Sequence, residues 1–173
     1  VRFADDIIIY ANSLPELKEM TLLLFEELAA VGVYFSGLHS RALLRLFSDM
    51  TIAQVCSLPE GVHNAKPFLN GIIFNDTKSD VLRYIDRAGD SKVFKVPSYN
   101  EEDLQFHGVD STQIARQAFG RGLCTVNDQV VAAGSSPSTV SLYDIRSGER
   151  IAAVNLTMDI RNAIHGLEVW PFE

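Results

Sequence analysis

The residues in this chain that could do chemistry fall into two sets. In "VRFADDIIIYANS", Asp5 and Asp6 stand side by side between apolar runs. Like charges repel, and burying them unpaired would cost several kcal/mol, so either a cation or open water must face them. A divalent metal held by carboxylate oxygens is the functional reading, and a solvated turn is the plain one. The second set is His63, Arg121, Asn162 and His165. Brought together, such donor and acceptor groups could hold a small ligand or a metal. Taken singly, a histidine at a strand start more often satisfies a backbone carbonyl.

The elements that would position the first set are readable. Phe3-Ala4 and the run from Ile7 to Ala11 favour strand, and the Asn12-Ser13 pair ends it, which puts Asp5 and Asp6 at a hairpin tip. Ser13 with Glu16 makes a capping box, and Leu17, Met20, Leu24, Leu28 and Val31 recur at helical spacing. Gly32 would end that helix, and Val33-Tyr34-Phe35 reads as a return strand.

Phe3-Ala4-Asp5-Asp6, followed by a helix ending in Ala29-Ala30-Val31-Gly32, resembles the palm of reverse transcriptases, especially those of non-LTR retrotransposons. The resemblance covers about the first 45 residues. It implies that Asp5 and Asp6 are catalytic and bind Mg2+, that nucleic acid is the ancestral partner, and that RNA-directed DNA synthesis is the ancestral reaction. That family also uses an aspartate and nucleotide-holding fingers upstream of its Asp-Asp box, whereas this chain starts at Val1, just before Phe3. Where the family shows Lys-Thr-Lys, this chain reads "SGLHSRALL", with His39, Ser40 and Arg41. The expectation is a metal-binding pair without a complete polymerase site, inactive alone.

Charge bears on that expectation. The 173 residues carry a formal net charge of −7 and are 47% hydrophobic, enough to bury a core and unlike a disordered tail. Nucleic-acid binders normally show a basic face. Residues 1–50 hold four cations against seven acids, and residues 98–173 five arginines against ten acids, so neither end supplies one. Cys56 and Cys124 lie far apart with no metal-ligand spacing and read as free thiols of a reducing compartment. No apolar run approaches a membrane span and no basic-then-apolar leader begins the chain, so an intracellular location without membrane contact is expected. Both ends look cut, suggesting a fragment or a joined reading frame.

From about residue 60 the pattern changes to short apolar runs closed by Gly, Asn, Asp or Pro: "GIIFNDT", "DVLRYID", "KVFKVP", "QVVAAGSS", "TVSLYDI", "RIAAVNL". These read as closely spaced strands. They also repeat: a shift of 59 residues places Val81 on Val140, Tyr84 on Tyr143 and Gly89 on Gly148. Such a period suggests units of three or four strands in a radial or stacked array, with two related hairpins in a sandwich as the alternative. Between the repeats, Ile114, Ala115, Ala118 and Phe119 are spaced like a short surface helix. Ser135 to Ser138 reads as a turn, and Gly120-Arg121-Gly122 lacks the setting of a phosphate loop.

"VHNAKPFLNGIIFNDT", "GRGLCTVNDQVVAAGSS" and "IHGLEVWPFE" resemble blade starts of strictosidine-synthase-like and NHL-type β-propellers, and "VNLTMDIRNAIHGLEVWP" resembles the closing signature of an uncharacterised bacterial propeller-like family. The resemblance implies blade starts near 63, 121 and 165, the last blade truncated. It also implies that His63, Arg121, Asn162 and His165 line a channel that binds a small molecule or a protein. The expected whole is an α+β chain: a palm-like β-hairpin plus helix over residues 1–50, joined to an incomplete, antiparallel, propeller-like β region over 51–173. Two functions from different classes follow: a reverse-transcriptase remnant whose activity is uncertain, or a non-enzymatic binding module.

Overall fold

A computed structural model describes residues 13, 15, 34–37, 41–47, 49, 51–106 and 116–170. The chain divides into two compact units, Val1–Leu58 and Pro59–Glu173. Among the described residues the elements are eleven antiparallel strands and two single turns of 310 helix, which corrects the α+β expectation to a nearly all-β class. The Asp5-Asp6 hairpin and nearly all of the expected helix over 13–32 lie outside the described residues.

In the first unit, β1 (Tyr34–Gly37), β2 (Ala42–Leu46) and β3 (Ile52–Ser57) form an antiparallel sheet in sequence order. The sequence reading reached only the start of β1. It missed β2 because Ala42-Leu43-Leu44 lacks the alternation of a half-buried strand; Ala42, Leu43 and Leu46 are buried while Arg45 is exposed. The β2–β3 turn is closed by Asp49, whose Oδ1 accepts from the N–H (3.0 Å) and hydroxyl (2.6 Å) of Thr51.

The second unit holds two four-stranded meanders. The first runs β4 (Val62–Phe68), β5 (Gly71–Asp76), β6 (Val81–Asp86) and β7 (Ser91–Lys95). The second runs β8 (Arg121–Thr125), β9 (Val130–Ser135), β10 (Thr139–Asp144) and β11 (Glu149–Asn155). Phe68, Ile73, Leu82, Tyr84 and Phe94 of the first sheet share one buried core with Leu123, Val131, Ala133, Tyr143 and Ile145 of the second. Such burial is the main favourable term in the fold, about 1.5–3 kcal/mol for each large side chain.

The 59-residue period holds in β5 and β9 but slips inside the unit. Gly71 pairs with Asp86 and Val130 pairs with Asp144, so Asp86 is the structural counterpart of Asp144, one residue off the sequence match. Four residues, 77–80, join β5 to β6, whereas three, 136–138, join β9 to β10. The next turn restores the count: Asp86 bonds Asp90 across residues 87–89, and Asp144 pairs with Glu149 across 145–148. Gly89 (φ 92°) and Gly148 (φ 80°) thus remain equivalent, both in the left-handed region that favours glycine.

A one-residue slip flips a strand's side chains to the other face. Tyr84 and Tyr143 match in sequence, yet they point from opposite faces of their own sheets and therefore meet in the same core. Val131 and Ala133, which fill that core, stand where the first sheet has Ile72 and Phe74, on its other face from Ile73 and Tyr84. The front of one sheet packs on the back of the next. That is head-to-tail stacking, the relation between propeller blades, and not the like-face pairing of a two-hairpin sandwich.

Hydrogen bonds latch the two sheets at both ends of the core. At the first-strand side, Asn75 Nδ2 donates to the Gly122 carbonyl (3.1 Å) and Thr77 Oγ1 to that of Gly120 (2.7 Å), both buried. At the outer side, Tyr143 OH donates to the Lys95 carbonyl (3.2 Å) and Lys92 Nζ to that of Ile145 (2.8 Å). After β11 the chain turns back across the second sheet. Ser136 Oγ donates to the Ile160 carbonyl (2.6 Å), and Ile164 lies on β9 where a Cβ added to Gly134 would be 2.5 Å from its own.

Candidate functional site

β4 and β8, the first strands of the two sheets, are neighbours in space, and the segment around Ile164 and His165 runs against β8. Gly122 permits this approach: its φ is +61°, and an added Cβ would stand 2.8 Å from the Ile164 carbonyl oxygen. The three expected blade starts therefore lie side by side. His63 is the second residue of β4, Arg121 is the first of β8, and His165 sits in an irregular segment without strand pairing.

Phe119 is the hub of the cluster. The His63 ring lies 5.8 Å from the Phe119 ring at 54°. The guanidinium carbons of Arg121 and Arg116 lie 5.0 Å and 5.2 Å from its centroid, within cation–π range. Arg121 Nη1 is 2.8 Å from His165 Nδ1. A guanidinium only donates, so Nδ1 accepts and the imidazole carries its proton on Nε2. Arg121 Nε is buried and has no hydrogen-bond partner. Arg116 is otherwise engaged, bonding Asp80 and the carbonyls of Thr77 and Gln117.

Local backbone explains the placement. Residues 117–118 form a turn, with Ala118 at φ 55°. Ala118 N–H donates to the Ser136 carbonyl (3.0 Å), and Ser136 N–H returns to that of Phe119 (3.2 Å). The helix expected through Ala118 and Phe119 is absent there, because a left-handed residue and these exchanged bonds break helical pairing. Ile114 and Ala115 lie outside the described residues. Asn162 does not join the cluster: it is exposed, and its N–H donates to the Asp159 carbonyl (3.0 Å) in a turn. Arg161 beside it forks onto Asp159 (2.7 Å) and covers the Phe106 ring at 3.6 Å.

Of the four residues singled out in the β-rich half, the structure gathers His63, Arg121 and His165. Phe119 was read as part of a short helix's apolar side and Arg116 was passed over, although an aromatic flanked by two arginines, Arg116-Gln117-Ala118-Phe119-Gly120-Arg121, was a usable signal for stacking. Asp5, Asp6, His39 and His107 lie outside the described residues. Among the described residues, no group of three or more His, Cys, Asp or Glu side chains could hold a metal ion, and no helix is long and apolar enough to cross a membrane. Cys56 is half-buried and Cys124 buried, both as free thiols.

No protein-family model matches the sequence and no curated protein matches it. Among solved structures, virginiamycin B lyase from Staphylococcus aureus is similar at 12% identity and a TM-score of 0.36, over 66% of this chain and 38% of that one. A catalytically inactive variant of the same lyase with quinupristin gives 12% and 0.35, over 72% and 52%. A streptogramin B lyase structure gives 12% and 0.35, over 66% and 37%. This chain thus spans about two fifths to half of the proteins it is similar to. Strand order and face pairing, rather than this likeness, define the propeller-like architecture.

Proposed function

We propose that the second unit is a non-enzymatic binding module of propeller-like build. In this reading the cluster at the first-strand starts takes a small molecule that offers a carboxylate to Arg121 and a flat apolar part to Phe119. The buried, unpartnered Arg121 Nε carries the reading. A buried donor left unsatisfied costs about 1–3 kcal/mol, more when charged, and a bound acceptor returns that free energy to the complex. Phe119 is the apolar surface beside it, and His165, proton on Nε2, adds a second donor.

A titration of the 15N-labelled protein with benzoate, read on the arginine side-chain Nε–H signals, tests this. The Arg121 signal should shift saturably while that of Arg87, in the exposed β6–β7 turn, stays in place. Arg121→Lys should weaken binding about tenfold or more, as expected for losing a charge-assisted bond. Equal, unsaturated shifts on every arginine would show charge screening alone and defeat the proposal. No observation on the described residues favours polymerase chemistry, whose Asp5 and Asp6, with their Mg2+ and nucleic-acid partner, fall outside them.

A further inference from the structure

A concave feature lies at the other end of the sheets, away from the first strands. It is a groove of about 480 Å³ bordered by β7, the segment that follows it, and the β10–β11 hairpin, a size in the range of small-molecule pockets. Its apolar part is Val93, Val96 and Pro97, with Tyr143 at its inner wall. Its polar part is Ser98, Lys95 and Arg150. Neither Lys95 nor Arg150 makes an ion pair among the described residues.

The nearby acids do not neutralise this set. Asp144 is occupied: Oδ2 accepts from Gln129, and Oδ1 from the N–H groups of Arg146 (2.7 Å) and Ser147 (3.1 Å). Glu149 is exposed beside Arg150 and borders no part of the groove. In a chain of net charge −7, cations left unpaired around one concave, partly apolar surface mark a place where a negative charge is missing.

We infer that this groove is a binding site for a small molecule bearing a carboxylate or phosphate group on an apolar body. The oxyanion is held by Arg150 and Lys95, with Ser98 as a further donor, and the body rests on Val93, Val96 and Pro97. Arginine suits either oxyanion, since its fork presents paired donors. The inference is independent of the Arg121 cluster, which belongs to the first-strand side.

The test is a backbone-amide titration of the full chain at constant ionic strength, with inorganic phosphate in one arm and hexanoate in the other. The amides of Val96, Ser98, Gly148 and Arg150 should shift saturably with at least one probe, and the arm that saturates identifies the oxyanion. Arg150→Gln should weaken that binding about tenfold or more and leave the rest of the spectrum unchanged, as Arg150 is exposed on edge strand β11. Lys95→Gln, also at an exposed position, should do the same and serves if the first variant misfolds. No saturable shift with either probe, or unchanged binding in both variants, overturns the site. Arg121 Nε reports separately on the other cluster, so either proposal can fail alone.

Discussion

The head-to-tail packing makes a quantitative demand on the contact between Phe94 and Tyr143. Phe94 (2% exposed) comes from β7 and Tyr143 (1% exposed) from β10, with ring centroids 5.6 Å apart at 61°. An edge-to-face pair of this kind contributes about 0.5–1.5 kcal/mol beyond the area it buries. Truncating either ring to leucine loses that pairing and leaves a partial cavity, for a total of about 1–3 kcal/mol each. Tyr143→Leu also removes the hydroxyl bond to the Lys95 carbonyl, about 1 kcal/mol more. The double variant should therefore be more stable than the sum of the single losses implies, by about 0.5–1.5 kcal/mol. Urea unfolding followed by far-ultraviolet circular dichroism measures all four proteins. Strict additivity, within about 0.3 kcal/mol, would mean that the rings do not touch and that the two sheets do not share this core.

Three further outcomes follow from particular side chains. Gly134→Ala places a methyl group 2.5 Å from Ile164 Cβ and 2.9 Å from the Arg121 carbonyl; it should displace the 160–166 segment, seen as faster hydrogen exchange there and a shift in Trp170 emission, and open the Arg121–His165 contact. Burial pushes both thiols above their ordinary pKa, Cys124 with a smaller opposing pull from Lys66; Ellman's reagent at pH 8 should label Cys124 only on unfolding and Cys56 more slowly than a free thiol. The Gln129 side chain, then the turn N–H groups, hold the Asp144 carboxyl below its ordinary value. Because the folded pKa is the lower one, this contribution is present above the ordinary carboxylate range and is lost as pH falls through the depressed value; unfolding of Asp144→Asn should show a shallower acid-side decline than the parent.

The β half was legible where local signals coincide with the sheet period. β5, β6, β7, β9, β10 and β11 each answer to a short β-branched or aromatic run closed by a turn residue. The equivalence of Gly89 and Gly148 was visible because both turns need a left-handed residue. Which face each tyrosine takes was not visible, since it depends on turns of four and three residues that compensate each other, and a sequence match through Tyr84 and Tyr143 hides the slip. The hub at Phe119 was missed because helical spacing through Ile114 and Ala118 competed with it, and tertiary bonds to Ser136 settle the backbone there. The expected α+β class failed among the described residues because β1, β2 and β3 pair in sequence order as successive hairpins, while the Ala42-Leu43-Leu44 run of β2 carries no alternation that would mark it as a strand.

Contacts between the sheets test the account most directly. In a NOESY spectrum of the protein with labelled aromatic and methyl groups, the rings of Tyr84 and Phe94 should show cross-peaks to Tyr143, Leu123 or Val131. Cross-peaks from those two rings confined to residues 62–96, with Tyr143 seeing only its own sheet, would contradict the stacking of front on back and the gathering of the strand starts that depends on it.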